Sequence, residues 1–140
     1  MDCYRDMADV PSTRVGAVIV RLDKSICSTG FNGFSKTMLD TPGLYINREE
    51  KYLRIIHAEV NALIYSRDPS LEGYTLYTWP LLSCDRCVVQ MLQAGISRFV
   101  APVLSKELKP RWKTSLKKTE NYIEESNKIL TLIDYKSEIT

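Results

Sequence analysis

The stretch VGAVIVRL, Val15–Leu22, is apolar and β-branched and predicts a buried strand. Asp23-Lys24 is a polar turn, and SICSTG, Ser25–Gly30, predicts a second strand, so the pair reads as an antiparallel hairpin. From Phe31 to Glu50 no period emerges, and Gly33, Pro42 and Gly43 punctuate the stretch. Loops this long in a compact domain are usually functional or disordered. Between Leu53 and Tyr65 the spacing turns helical, with Val60, Leu63 and Ile64 on one face and Asp68-Pro69 as the stop. Tyr74–Trp79 predicts a third strand. Cys84–Ala94 predicts a helix carrying Val88, Met91 and Leu92, with Gly95 where a C-terminal cap belongs. Ser97–Val103 follows as a fourth strand. Pro110 suits a first helical turn, and Trp112, Leu116, Tyr122, Ile123 and Ile129 mark a long amphipathic helix. Leu130–Tyr135 reads as the last strand, and the first eight residues suit a helical turn or two before Pro11.

Strands joined by helices are parallel with right-handed crossovers. The expected fold class is therefore α/β, a mixed five-stranded sheet with helices on both faces in three α/β/α layers. At 140 residues the chain reads as one domain over 1–140. Its 44% hydrophobic and 26% charged residues are a globular profile. The apolar run Val15–Val20 is far short of the ~20 residues that cross a bilayer, and MDCYRDMADV lacks the apolar core of a signal peptide. The expectation is a cytoplasmic protein with no membrane partner. Nineteen basic and 17 acidic residues leave a net charge of +2, too balanced for a nucleic-acid partner. Lys106, Lys109, Arg111, Lys113, Lys117 and Lys118 cluster against Glu107 alone. They read as a solvated face or as a patch for a phosphorylated ligand.

Chemistry converges on few residues. The four cysteines are Cys3, Cys27, Cys84 and Cys87, and the one histidine is His57. Without an export signal the thiols stay reduced, so Cys84-x-x-Cys87 reads as a metal clip or a redox pair rather than a disulfide framework. Both His57 and Cys84 fall at expected helix starts, where partial positive charge favours thiolate. Three N/S ligands with an open fourth position are the pattern of catalytic zinc. Cys3 or Cys27 would close the site if either reached it. Glu59, two residues past His57, suits general acid–base work beside a zinc-bound water, or is an ordinary first-turn glutamate.

His57-Ala58-Glu59 with Cys84-Asp85-Arg86-Cys87 resembles the H-x-E and P-C-x-x-C signature of the zinc-dependent cytidine/deoxycytidylate deaminase superfamily. Within it the chain resembles the deoxycytidylate (dCMP) deaminases of phage and bacterial type. Pro11–Val20 looks like their opening strand, Gly30-Phe31-Asn32-Gly33 like their G-Y-N-G segment, His57–Leu63 like their zinc helix and Gln93–Ile96 like the end of the next. Two departures stand out: Ser83 occupies the position of the family proline, and Trp79–Ser83 looks one residue longer. The resemblance implies a cytidine-deaminase-like sandwich that hydrolyses dCMP to dUMP and ammonia, supplying dUMP for dTMP synthesis. It implies one catalytic Zn2+ on His57, Cys84 and Cys87. Glu59 would move protons to N3 and to the departing amine, Asn32 would touch the sugar, and the backbone about Ala58 and Cys84 would hold the base edge. Arg14, Arg48, Lys51 and Arg54 are candidates for the 5′-phosphate. The family pattern further implies a homohexamer with dCTP as activator and dTTP as inhibitor. Mg2+ would accompany the triphosphate, and the regulatory site would lie at Gly30, Phe31, Asn32 and Gly33. A second, structural zinc is not expected with a single histidine. The alternatives are another zinc deaminase, acting on cytidine, guanine or a tRNA adenosine, and a non-catalytic zinc-binding module.

Overall fold

A computed structural model describes residues 14–35, 37, 54–104 and 110–134. Strand β1 (Gly16–Val20) pairs antiparallel with β2 (Ile26–Phe31), and Lys24 takes a positive φ of 72° in the turn between them. β3 (Gly33–Phe34) and β4 (Ile55–Ile56) form a separate two-residue antiparallel ribbon. Helix α1 (Ala58–Tyr65), β5 (Thr75–Trp79), α2 (Asp85–Ala94), β6 (Arg98–Pro102), α3 (Pro110–Glu125) and β7 (Ile129–Ile133) follow. The main sheet has the order β2-β1-β5-β6-β7. β1 is antiparallel to β5, while β5, β6 and β7 are parallel, joined through α2 and α3. This is the mixed five-stranded α/β sheet the sequence pattern predicts.

One face of the sheet carries the core. Ala17, Ile19, Leu76, Phe99 and Ala101 pack in one cluster with Ala58 and Ala62 of α1, Val88 and Met91 of α2, and Trp112, Leu116 and Ile123 of α3. Alternate residues of the same strands point the other way. There Gly16, Val18, Phe31, Tyr77, Trp79 and Pro102 help line an apolar trough of about 490 Å³. The helical turn or two expected in the first eight residues lies outside the described residues.

Helix α1 rests directly on β2. Gly30 stands opposite Ala17 in the ladder. A Cβ on Gly30 would run into the Ala58 carbonyl oxygen and lie 2.5 Å from the Ala62 nitrogen. Only glycine lets the helix sit so low on the strand. The Ser28 hydroxyl then donates to the Ala62 carbonyl at 2.6 Å and fixes the contact.

Some boundaries differ from the sequence expectation. α1 begins at Ala58, not near Leu53, because Ile55–Ile56 pairs with Gly33–Phe34 instead of turning helical. Its buried residues are Ala58, Glu59 and Ala62, with Val60 and Leu63 only half-buried and Ile64 exposed. A close helix–strand approach selects the small side chains, and the large apolar ones move to the flanks. α3 ends at Glu125, and Ile129 belongs to β7, opposite Arg98, rather than to the helix. Asn127, at a φ of 58°, ends the helical path between them. α2 closes as expected: Gly95 is left-handed at φ 105°, with Gly95 N–H bonded to Leu92 O and Ile96 N–H to Met91 O, both at 3.1 Å.

Candidate metal centre and buried carboxyl

The topology brings several chain ends to one edge of the sheet. Gly16, at the start of β1, faces Phe31 at the end of β2 and Trp79 at the end of β5. Helices α1 and α2 both begin at this edge. Their N-cap residues are His57 and Cys84, each with extended backbone and neither making a side-chain cap. Ser, Thr, Asp or Asn would ordinarily serve there. Instead, the two side chains meet each other. His57 Nδ1 lies 3.1 Å from Cys87 Sγ and 3.7 Å from Cys84 Sγ. The three potential ligand atoms all fall within 4.8 Å of one another.

This donor set fits zinc. With Zn–S near 2.3 Å and Zn–N near 2.0 Å, tetrahedral ligands stand roughly 3.5–3.8 Å apart, and the observed separations bracket that range. Both thiols are buried at first-turn positions, where the helix ends favour thiolate. Among the described residues no fourth His, Cys, Asp or Glu joins the cluster. Cys27 sits elsewhere, 3.3 Å from the Ser66 hydroxyl. Cys3 lies outside the described residues.

Glu59 is the second residue of α1 and only 3% exposed. It lines a small cavity together with Val15, His57, Leu81, Leu82, Cys84 and Trp112. The enclosed space is about 10 Å³, enough for a single water or the edge of a ring. Burial pushes the Glu59 pKa up, and the nearby Cys84 pushes it the same way. Its own backbone N–H, His57 and the Ser83 hydroxyl act in the opposite direction. A buried carboxyl of raised pKa holds a proton more readily than a solvated one, which suits acid–base work.

Helix α3 buttresses the metal edge from behind. The Ser115 hydroxyl donates to Asp85 Oδ1 at 2.7 Å and accepts from the Asp85 N–H at 3.2 Å. Thr119 donates to the Ser83 carbonyl at 2.8 Å. Ser83 itself is 1% exposed, and its buried hydroxyl stands near the Glu59 carboxyl. Sequence reasoning missed Ser115 and Thr119. The available signal was two hydroxyls lying on the same helical stripe as Trp112, Leu116 and Ile123.

The remaining candidates are spread around this edge. Asn32 brackets Val15: its N–H donates to the Val15 carbonyl at 3.3 Å, and its Oδ1 accepts from the Val15 N–H at 2.8 Å. This holds one wall of the cavity and leaves Nδ2 as the donor available to a ligand. Ala58 is fully buried. Gly30 is covered by α1, Phe31 is 68% exposed, and Gly33 pairs with Ile56 in open surroundings. Segment 30–33 therefore runs from beneath α1 to the ribbon that delivers His57. Arg14 is exposed and Arg54 half-buried, and neither lines the cavity. Arg48 and Lys51 lie outside the described residues. Trp79 belongs to the trough on the other face of the sheet rather than to the cavity walls. In the basic cluster, Lys113, Lys117 and Lys118 are exposed along α3.

Residues 3–103 match the family model described as the cytidine and deoxycytidylate deaminase zinc-binding region. The chain is 36% identical over 102 residues to an uncharacterized deaminase in the luxG 3′ region of Aliivibrio fischeri, covering 73% of this chain and 67% of that one. It is 34% identical over 91 residues to a probable deoxycytidylate deaminase of Caenorhabditis elegans, covering 63% of this chain and 46% of that protein. The chain spans about half the length of the animal deoxycytidylate deaminases it matches. Its fold resembles the crystal structure of dCMP deaminase from the cyanophage S-TIM5 in complex with dCMP and dUMP. That likeness has a TM-score of 0.63 at 19% identity and covers 91% of this chain and 88% of the other.

Proposed function

The chain belongs to the cytidine and deoxycytidylate deaminase family, and on that premise we propose that it hydrolyses dCMP to dUMP and ammonia. The observation that carries this reading is a buried carboxyl, Glu59, sharing one water-sized cavity with His57 and Cys84 of a three-ligand metal cluster. A purely structural zinc site would need neither the open position nor the carboxyl.

His57, Cys84 and Cys87 would hold one zinc ion per chain. Zinc bound there supplies a nucleophilic water at neutral pH by lowering its pKa toward ~7. Glu59 would carry one proton of the attacking water to N3 of the cytosine ring, and then the proton of the new C4 hydroxyl to the departing amine. Water adds at C4, the C4–N bond breaks, and uracil and ammonia result. Burial assists, since a carboxylate in an apolar pocket gives up less stabilisation when it takes a proton. The N-terminal backbone of α1 at Ala58 and of α2 at Cys84 holds the base edge, and Asn32 Nδ2 serves the sugar.

The finer reading follows the same resemblance. One domain over 1–140 forms a homohexamer in the cytoplasm, supplying dUMP for dTMP synthesis. dCTP activates and dTTP inhibits, each with Mg2+, through the segment Gly30-Phe31-Asn32-Gly33. The position of that segment supports this reading: it joins the strand under α1 to the ribbon that ends at His57. An effector bound there must favour one state of the oligomer over another.

Ammonia release measured across dCMP, CMP, deoxycytidine and dCTP, with metal content taken on the same sample, tests the proposal. The expected result is one zinc per chain and turnover of dCMP well above deoxycytidine. Equal turnover of deoxycytidine would reassign the substrate to nucleosides. Initial rates at low dCMP, with and without each triphosphate and Mg2+, test the regulation.

A further inference from the structure

Trp112 carries a polar group with nowhere to go. Its side chain is 5% exposed and forms a wall of the cavity shared by His57, Glu59 and Cys84, yet its Nε1–H has no hydrogen-bond partner. Buried indole N–H groups normally find an acceptor. An unmet buried donor is costly, so it marks either a fault in packing or a place held for something else. Packing is not at fault, because Trp112 belongs to the core cluster with Leu116 and Ile123 of the same helix.

From this position we infer that the Trp112 indole is a specificity-determining contact, donating to a carbonyl oxygen of the bound pyrimidine. The inference rests on the function proposed above and adds a contact to it. The acceptor is uncharged because the neighbouring walls Val15, Leu81 and Leu82 are apolar. The described lining holds no Lys or Arg, while Glu59 and Cys84 contribute negative charge. A phosphate would be repelled there. With only about 10 Å³ enclosed, any ligand atom that enters lies against the walls. Since the N–H is already stripped of water in the free protein, the ligand gains the hydrogen bond without a further desolvation cost.

The test uses the zinc-loaded protein with dUMP as probe and inorganic phosphate as control. Trp112→Phe keeps an aromatic wall and removes the donor. The affinity for dUMP should fall about tenfold, with KM for dCMP rising more than kcat falls. Thermal stability should fall only by what a smaller ring costs in the core, because no hydrogen bond is lost from the free state. In the wild type, the Trp112 indole proton, distinguished from that of Trp79 by the Trp112→Phe spectrum, should move downfield on saturation with dUMP and stay put with phosphate. Trp79→Phe, which leaves the cavity walls intact, assigns the same signal should Trp112→Phe fail to fold. Unchanged dUMP affinity in Trp112→Phe, or an indole signal indifferent to dUMP while the wild type binds it, overturns the inference and leaves a buried water or a structural role. A wild type that binds neither dCMP nor dUMP overturns the proposed function itself.

Discussion

Two carboxylates mark opposite ends of β1 and live in opposite conditions. At the far end, past Val20, Asp68 receives Arg21 Nε at 2.7 Å and Nη2 at 2.9 Å, and the Tyr74 hydroxyl donates to it at 2.7 Å. The Arg21 guanidinium holds the Asp68 carboxyl far below its ordinary range, with Tyr74 helping. Every partner there is local and already in place, so the cluster ties the β1–β2 hairpin to the segment between α1 and β5. At the near end Glu59 is buried with no Lys or Arg in the cavity lining, its pKa is raised, and Trp112 Nε1 in the same lining lacks a partner. A satisfied polar cluster stabilises a fold. An unsatisfied one stores polar capacity for a ligand, and this contrast separates structure from chemistry here.

The sharpest break of the contrast is Glu59→Gln. Turnover of dCMP should fall by more than the ~10²–10⁴ of a single acid–base group, because in the proposed mechanism this carboxyl serves several proton transfers. Zinc content and fold should survive, as read by metal analysis and thermal melting. Activity near that of the wild type would remove Glu59 from its proposed role.

Cys87→Ser attacks the ligand set instead of the carboxyl. Replacing a thiolate by a hydroxyl should leave the protein without stoichiometric zinc, without deamination and with a lowered melting temperature. A chelator should do the same to the wild type, reversibly on adding zinc back. Full zinc occupancy in the variant would point to a different ligand set.

Gly30→Ala tests whether the near end depends on the seat of α1. A methyl group there collides with the Ala58 carbonyl and crowds Ala62. The helix must rise, at an overpacking cost of ~1–3 kcal/mol, and it carries Glu59 with it. Both melting temperature and kcat/KM should fall, the latter by about tenfold or more, since a small misplacement of reacting groups is expensive. An unshifted melting temperature would show that the helix has room to spare.

Asp68→Asn touches only the satisfied end and should have the smallest effect, a lowered melting temperature with unchanged kcat/KM. Its pH dependence has a definite sign. The folded pKa lies below the unfolded value of ~3.9, so Asp68 stabilises the fold above that value. This contribution is lost as pH falls below ~4 toward the folded pKa. The gap in melting temperature between wild type and variant should therefore be full at pH 7 and close in acid. A gap that persists at low pH would mean the carboxylate charge is not what matters.

Much of this molecule was legible in the chain. The strands at Gly16–Val20, Thr75–Trp79 and Arg98–Pro102, the cap at Gly95 and the helix start at Pro110 follow from local rules of side-chain shape and backbone freedom. The His57, Cys84 and Cys87 cluster was legible too, because His57 is the one histidine and Cys84-x-x-Cys87 spans one helical turn. Less legible was α1, whose start moved to Ala58 because Ile55–Ile56 found strand partners more than twenty residues away. Its buried stripe moved to Ala58, Glu59 and Ala62 because β2 offers glycine at position 30. Such choices depend on what the segment packs against, and no local pattern contains that information.

By itself the sequence determined which atoms were available for the chemistry, since donor type and spacing are properties of the residues in order. Only the tertiary structure decided that His57 and Cys84 would stand as N-caps turned toward one another, because strand order brings the starts of α1 and α2 to the same edge. It also decided that Glu59 and Asp68 would diverge. A carboxyl's proton affinity is set by the water and charges around it, and those are assigned by folding rather than by neighbours in the chain.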